Sequence, residues 1–258
     1  MRRPSCSPNG RRTSCSPNAD EGAGEQDGLL RLAKSGRFGQ HLEVIHPGGT
    51  YPTTVGTQSI DLPVVSIADD VAIALFITVD QGIAFSSKAG AELAEAIRRF
   101  DVDIVASVAT MGIPIAIEIT RSLGLDDYLI FQKTPKIHLA DAIVEPVRSI
   151  TTDRQQRLLF DRARIASVAN KRVALVDDVI STGASIGAAL ALLRRVGADP
   201  VAIGAVLSET NVWRTALGED QHLVHTLGSI PLFRRLADGS FAEDWNGDGS
   251  ALPTSSEI

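Results

Sequence analysis

Val173-Ala174-Leu175-Val176-Asp177-Asp178-Val179-Ile180-Ser181-Thr182-Gly183-Ala184-Ser185 is the stretch on which the fold turns. The apolar run from Val173 to Val176 predicts a buried strand. Two carboxylates, Asp177 and Asp178, follow at its carboxyl end. A short turn of small residues comes next, and a helix is expected to start near Ser185. The backbone N–H groups at such a helix start have no intrahelical acceptor and can converge on an anion. Gly183 and Ala184 keep the approach open, while Ser181, Thr182 and Ser185 offer hydroxyl donors. Carboxylates accept hydrogen bonds, so Asp177 and Asp178 suit sugar hydroxyls or a divalent metal rather than phosphate. A phosphate on one side and a diol on the other describe a ribose 5-phosphate. The plain alternative is that Asp178 and Ser185 merely cap the helix. A cap, however, needs neither paired acids nor a Thr-Gly turn.

Apolar runs alternate with helical patterns on both sides of this stretch. Val71–Val79, Ile104–Val108, Tyr128–Phe131, Arg172–Val176 and Val201–Leu207 read as strands. Leu93, Ile97 and Phe100 share a helical spacing, as do Ile186, Ala189, Leu190 and Leu193. Pro114 suits the first turn of a helix that Gly124 closes, and Gly197 closes the later one. Continuous apolar strands joined by helices predict an α/β fold with a mainly parallel sheet covered on both faces. Its ligands are then expected at the carboxyl edge of the strands.

Bulk properties narrow the class. The chain has 258 residues, 44% of them hydrophobic and 22% charged, enough for one sizeable core with tails. Its net charge of -6 does not suit a nucleic-acid backbone or a lipid surface. The two cysteines, Cys6 and Cys15, lie in the first segment and imply no disulfide framework, which fits a reducing cytoplasm. No apolar run of about 18 residues is present to span a membrane. Neither Arg2-Arg3 nor Arg11-Arg12 precedes an apolar stretch, so no secretion signal is expected.

Residues 1–28 contain a tandem near-repeat, Arg2-Arg3-Pro4-Ser5-Cys6-Ser7-Pro8-Asn9 and Arg11-Arg12-Thr13-Ser14-Cys15-Ser16-Pro17-Asn18. They are expected to be a disordered tail, because they bury too little apolar surface to offset ordering entropy. The domain is expected over 29–236, and 237–258, rich in Asp, Gly and Ser, is expected to be loose.

Asp177–Ser185 resembles the signature of the type I phosphoribosyltransferases, which use phosphoribosyl pyrophosphate (PRPP). The resemblance covers roughly Ala84 to Glu209 and implies the fold of that family, with a small hood over the base. It implies that Asp177 and Asp178 hold the ribose hydroxyls, directly or through Mg²⁺, and that Ser181–Ser185 wrap the 5-phosphate. Ser107–Pro114 repeats the pattern of strand, Gly-containing loop and helix, and Thr110, Met111 and Gly112 match the pyrophosphate loop. Gly112-Ile113-Pro114-Ile115-Ala116 is similar to the adenine and xanthine types. Lys133 matches a pyrophosphate contact, with Gln132 in place of the usual Arg. Asp141–Arg154 resembles the flexible loop, and Glu145 within it is a candidate proton acceptor. Residues 38–62 are assigned to the hood. Ile180 and Glu209 are the candidate base contacts. Thr210 replaces the Lys of xanthine-type enzymes, which counts against a 6-oxopurine. Trp213, Tyr51 and His138 read as packing or structural residues.

The activity so implied is transfer of a phosphoribosyl group to a purine, adenine favoured, by a homodimer in the cytoplasm. A regulator that keeps the PRPP pocket without catalysis is the alternative, although no helix-turn-helix or basic stripe stands in the first 60 residues. Metal-dependent phosphoryl transfer ranks last, since no Walker loop is present.

Overall fold

The structure is a computed structural model and describes residues 48–135, 137, 141–147 and 156–247. The chain opens with β1 (Thr50–Val55), β2 (Gln58–Ser66) and β3 (Val71–Ala74). Next come α1 (Gly82–Ile97), β4 (Ile104–Val108), α2 (Ile113–Leu123) and β5 (Tyr128–Phe131). β6 (Ala142–Val147), β7 (Gln156–Asp161) and the short α3 (Ile165–Val168) follow. The second half runs β8 (Arg172–Ile180), α4 (Ala184–Arg195), β9 (Asp199–Glu209) and α5 (Val212–Leu217). It ends in β10 (Val224–Ile230), β11 (Leu232–Arg235) and β12 (Phe241–Asp244).

The central sheet has the order β10-β9-β8-β4-β5, with every pairing parallel. Alternate residues of its strands feed two cores. Ile104, Ala106 and Val108 meet Leu175, α4 and the β6–β7 hairpin on one face. Val105, Ala174 and Val176 meet α1 and α2 on the other. Both faces are therefore covered, as the unbroken apolar strands require. From β4 the chain winds outward to β5, whereas from β8 it winds the opposite way to β9 and β10. The order thus reverses between β4 and β8, and the loops leaving those two strands part and open a crevice.

Two sequence expectations change here. Val71–Val79 does not join the central sheet. Only Val71–Ala74 is a strand, and it pairs antiparallel with β2 and β11. The run ends because Phe76 turns inward against Phe85, with ring centroids 5.8 Å apart, and Thr78 begins a helical turn. The fifth parallel strand is instead β10, whose residues are mostly half-buried at the sheet edge. The stretch from 237 is likewise not loose as far as it is described. Phe241, Ala242 and Asp244 are buried, and β12 pairs with β11. Its Asp residues build turns: Asp238 accepts from the Ser240 amide at 2.9 Å, and Asp244 from the Gly247 amide at 2.8 Å. The ordered fold therefore extends past 236.

β1, β2, β3, β11 and β12 form a second, antiparallel sheet. It includes the described part of the stretch assigned to the hood, 48–62. The expected tail, the start of that stretch, His138, loop residues 148–154 and the final residues 248–258 lie outside the described residues. Among the described residues no helix is long and apolar enough to cross a membrane.

Candidate active site

A cavity of about 280 Å³ opens at the crevice between β4 and β8. Strand β8 runs farther than its apolar run predicts, to Ile180, so both acids are strand residues with a fixed backbone. Asp177 is buried and Asp178 partly so. The Asp178 amide donates to Asp177 Oδ1 at 3.0 Å. Burial, followed by the neighbouring Asp178 charge, pushes the Asp177 carboxyl well above its ordinary value, and Lys133 opposes this.

The chain then turns through Ser181, Thr182 and Gly183. Gly183 has φ of 77°, a left-handed conformation suited to glycine, and a Cβ there would lie 3.3 Å from Trp213 Cα. The N-cap residue Gly183 supplies no capping side chain to α4, and the first turn holds no acid, so the capping role considered for Asp178 and Ser185 is absent. Thr182 Oγ1 accepts from the Ala184 amide at 3.4 Å, which leaves its hydroxyl proton available.

Across the crevice, Ala109, Thr110 and Met111 follow β4, and the peptide between Ala109 and Thr110 is cis. Gly112 stands behind this loop. A Cβ at Gly112 would lie 2.3 Å from Ser107 Oγ and 2.6 Å from Asp177 Oδ1. Its missing side chain is what lets the β4 loop close on the acid. Lys133 follows β5 and lines the same cavity. It is steadied by the backbone pair of Gln132 and Leu159, at 2.8 Å and 3.1 Å, which ties the end of β5 to β7.

The cavity thus gathers the two acids, Ile180, Ser181 to Ser185, Thr110, Met111 and Lys133. Ala109, Val179 and Ile186 also line it and were not singled out from the sequence. They lie within or beside the motifs, but nothing in their residue type marks them. Glu209 stands behind the loop and accepts from Ser181 Oγ at 2.5 Å. Burial pushes its carboxyl up, against the Ser181 hydroxyl.

Three other residues resolve simply. Trp213 is buried, its Nε1 donating to Thr210 O at 3.1 Å. Tyr51 packs edge-on against Phe233 at 5.3 Å. Glu145 pairs with Arg195 of α4 at 3.3 Å and is not among the residues that line this cavity.

The donor set also bears on Mg²⁺. Among the described residues no cluster of three His, Cys, Asp or Glu could hold a metal alone. Two carboxylates beside an anion loop do fit an ion that completes its shell with phosphate oxygens and water. The Ser107 hydroxyl, buried without a partner beside Gly112, adds an oxygen close to Asp177.

Residues 84–214 match the family model for the phosphoribosyl transferase domain. Over 111 residues the chain is 31% identical to the transcriptional regulator GfcR of Methanococcoides burtonii, covering 43% of this chain and 47% of that protein. Over 120 residues it is 24% identical to an orotate phosphoribosyltransferase of Caldanaerobacter subterraneus, covering 46% and 52%. The chain thus spans about half the length of these curated relatives. The crystal structure of an APRTase from Giardia lamblia complexed with 9-deazaadenine covers 73% of this chain and 93% of its own. Its TM-score is 0.50 at 14% identity, a likeness of fold.

Proposed function

This chain belongs to the phosphoribosyl transferase domain family, and we propose that it transfers the 5-phosphoribosyl group of PRPP to a purine base, with adenine favoured. The observation that carries this reading is the meeting of Asp177, Asp178, the Gly183 turn and Lys133 in one cavity at the strand-order reversal. The 5-phosphate is assigned to the amides of 181–185 and the hydroxyls of Thr182 and Ser185, at the start of α4. The ribose hydroxyls are assigned to Asp177 and Asp178, and the pyrophosphate to Thr110, Met111, Gly112 and Lys133. The base lies beside Val179 and Ile180. Thr210 favours adenine over a 6-oxopurine.

The bond from C1 to the pyrophosphate oxygen breaks, the bond from C1 to a base nitrogen forms, and the proton of that nitrogen passes to water or to the released pyrophosphate. These residues act by positioning and by stabilising charge that leaves with pyrophosphate. Asp177 and Asp178 would hold Mg²⁺ together with substrate oxygens, and the ion would supply charge neutralisation there. A homodimer acting in the cytoplasm belongs to the same reading, and light scattering tests the dimer.

The test is release of pyrophosphate from PRPP with adenine, xanthine, guanine, hypoxanthine and orotate in turn. Release with adenine supports the proposal, and release with orotate alone overturns the purine assignment. The 31% identity to a transcriptional regulator favours a second reading, a PRPP-binding regulator. It predicts PRPP binding with no release for any base. Asp178→Asn is expected to lower turnover by about two orders of magnitude or more while leaving the fold intact. Full activity with a native unfolding curve would remove the acidic pair from the mechanism.

A further inference from the structure

Glu209 ends β9 directly behind the phosphate loop. Its side chain is buried, and its carboxylate accepts a hydrogen bond from the Ser181 hydroxyl at 2.5 Å. Ser181 lines the cavity, whereas Glu209 does not. Among the described residues no cation pairs with Glu209, whose carboxyl is pushed up by burial. A carboxylate buried without a cation is a poor way to stabilise a core; an apolar side chain of similar size costs less. What it supplies is a strong fixed acceptor for one hydroxyl.

A serine hydroxyl carries one proton. With that proton directed at Glu209, Ser181 turns lone pairs toward the cavity, the wrong polarity for a phosphate oxygen. The donors left to the loop are its amides and the hydroxyls of Thr182 and Ser185. Ser181 is also the first residue after β8, so holding it fixes the point from which those donors fan out.

We propose that Glu209 is a positioning residue for the phosphate loop: by holding Ser181 Oγ it sets the loop in its anion-binding shape before a ligand arrives. This rests on the reading of the cavity as a phosphoribosyl site. It gives Glu209 a different task from the base contact its place in the sequence suggests. A preset loop spares the ligand the entropy of ordering it, so the effect belongs to 5-phosphate affinity.

The experiment measures binding of ribose 5-phosphate and of pyrophosphate by calorimetry to the full chain, to E209L, E209Q and S181A, and to the double variant E209L/S181A. E209L and S181A are each expected to weaken ribose 5-phosphate by about tenfold. The double variant should be no weaker than either single one, because both remove one interaction. E209Q keeps a carbonyl acceptor and should restore affinity to within about threefold. Pyrophosphate affinity should stay constant throughout, a split that general loss of structure would not give. If E209L does not fold, S181A and E209Q still carry the comparison. Native ribose 5-phosphate affinity in both E209L and S181A overturns the proposal, as do additive losses or an equal loss of pyrophosphate. If the unaltered chain binds no ribose 5-phosphate, the phosphoribosyl reading itself fails. Binding that is indifferent to position 209 sinks this inference alone.

Discussion

Asp177 and Gly112 lie close together across the crevice, and each constrains the other. Asp177 is a carboxyl whose folded value is raised by burial and by Asp178. Such a group contributes stability that is whole below its unfolded value and is lost as pH rises through the folded one. In the ligand-free protein, Asp177→Asn should therefore gain stability relative to the parent as pH increases from about 4 toward neutrality. Paired thermal unfolding curves of the two proteins check this, and a difference that is flat or shrinks over that window would contradict the burial of the acid. Gly112 works sterically. Its φ is -72°, which any residue adopts, so its importance lies in the space it leaves and not in backbone freedom. Gly112→Ala puts a methyl 2.6 Å from Asp177 Oδ1 and 3.2 Å from Asp177 Cα. The overpacking should cost about 1–3 kcal/mol of stability. Moving the acid should also reduce kcat/KM for PRPP by about tenfold or more. Unfolding midpoints and steady-state kinetics measured together separate the two effects.

At the scale of elements, α4 is the piece whose placement makes the site. It starts at the crevice, where its N-cap Gly183 supplies no capping side chain, and is held by Ile186, Ala189, Leu190 and Leu193 against the sheet. Its free N-terminal amides and the Thr182 hydroxyl form one donor set. Thr182→Val should therefore raise the apparent PRPP constant about tenfold and leave the constant for the base unchanged. A change confined to the base constant would put the phosphate elsewhere. The helix and its loop were legible because local rules fix them: an apolar strand, small turn residues, a helical stripe and Gly197 at its end. The strands β4, β5, β8 and β9 were legible for the same reason. Their burial on both faces leaves an apolar run that needs no knowledge of partners. The β6–β7 hairpin was not legible as strands. Its register is set by packing of Ile143, Leu158 and Phe160 under α4, and its exposed residues break the alternation. Val71–Val79 misled for the converse reason, because an apolar run records burial without saying which sheet supplies it. At the site, the paired acids and the Gly183 turn carry their chemistry in residue type. The Ser181–Glu209 contact joins residues 28 apart and becomes visible only once β8 and β9 pair.

On the scale of the whole molecule, two sheets share one apolar core, and the second is completed by chain from both halves of the sequence. β1 to β3 come before the central sheet and β11 and β12 come after it, so the antiparallel sheet forms only when the last strands return. Phe233 and Phe241 are buried in the core that also holds Tyr51, Leu62, Val206 and Ile230. Arg234 bonds Asp244 at 3.2 Å and the Gly247 carbonyl at 3.1 Å, tying β11 to the end of β12 and the turn beyond it. The Asn211 amide donates to the Trp245 carbonyl at 3.1 Å, so this stretch also lies against the end of β9, two residues from Glu209. Composition rich in Asp, Gly and Ser describes the turns of this region, while a few aromatic residues do the anchoring. Phe241→Ala should cost about 3–5 kcal/mol, the range for a buried Phe. Removing everything after residue 236 should be worse, since it uncovers the β11 edge as well as the aromatic core. The check is urea unfolding of the full chain, the point variant and the truncated chain, with ribose 5-phosphate binding measured on each. Loss of stability without loss of binding in Phe241→Ala would make the second sheet a support for the fold. Loss of binding at unchanged stability would mean that this sheet instead shapes the cavity through the end of β9.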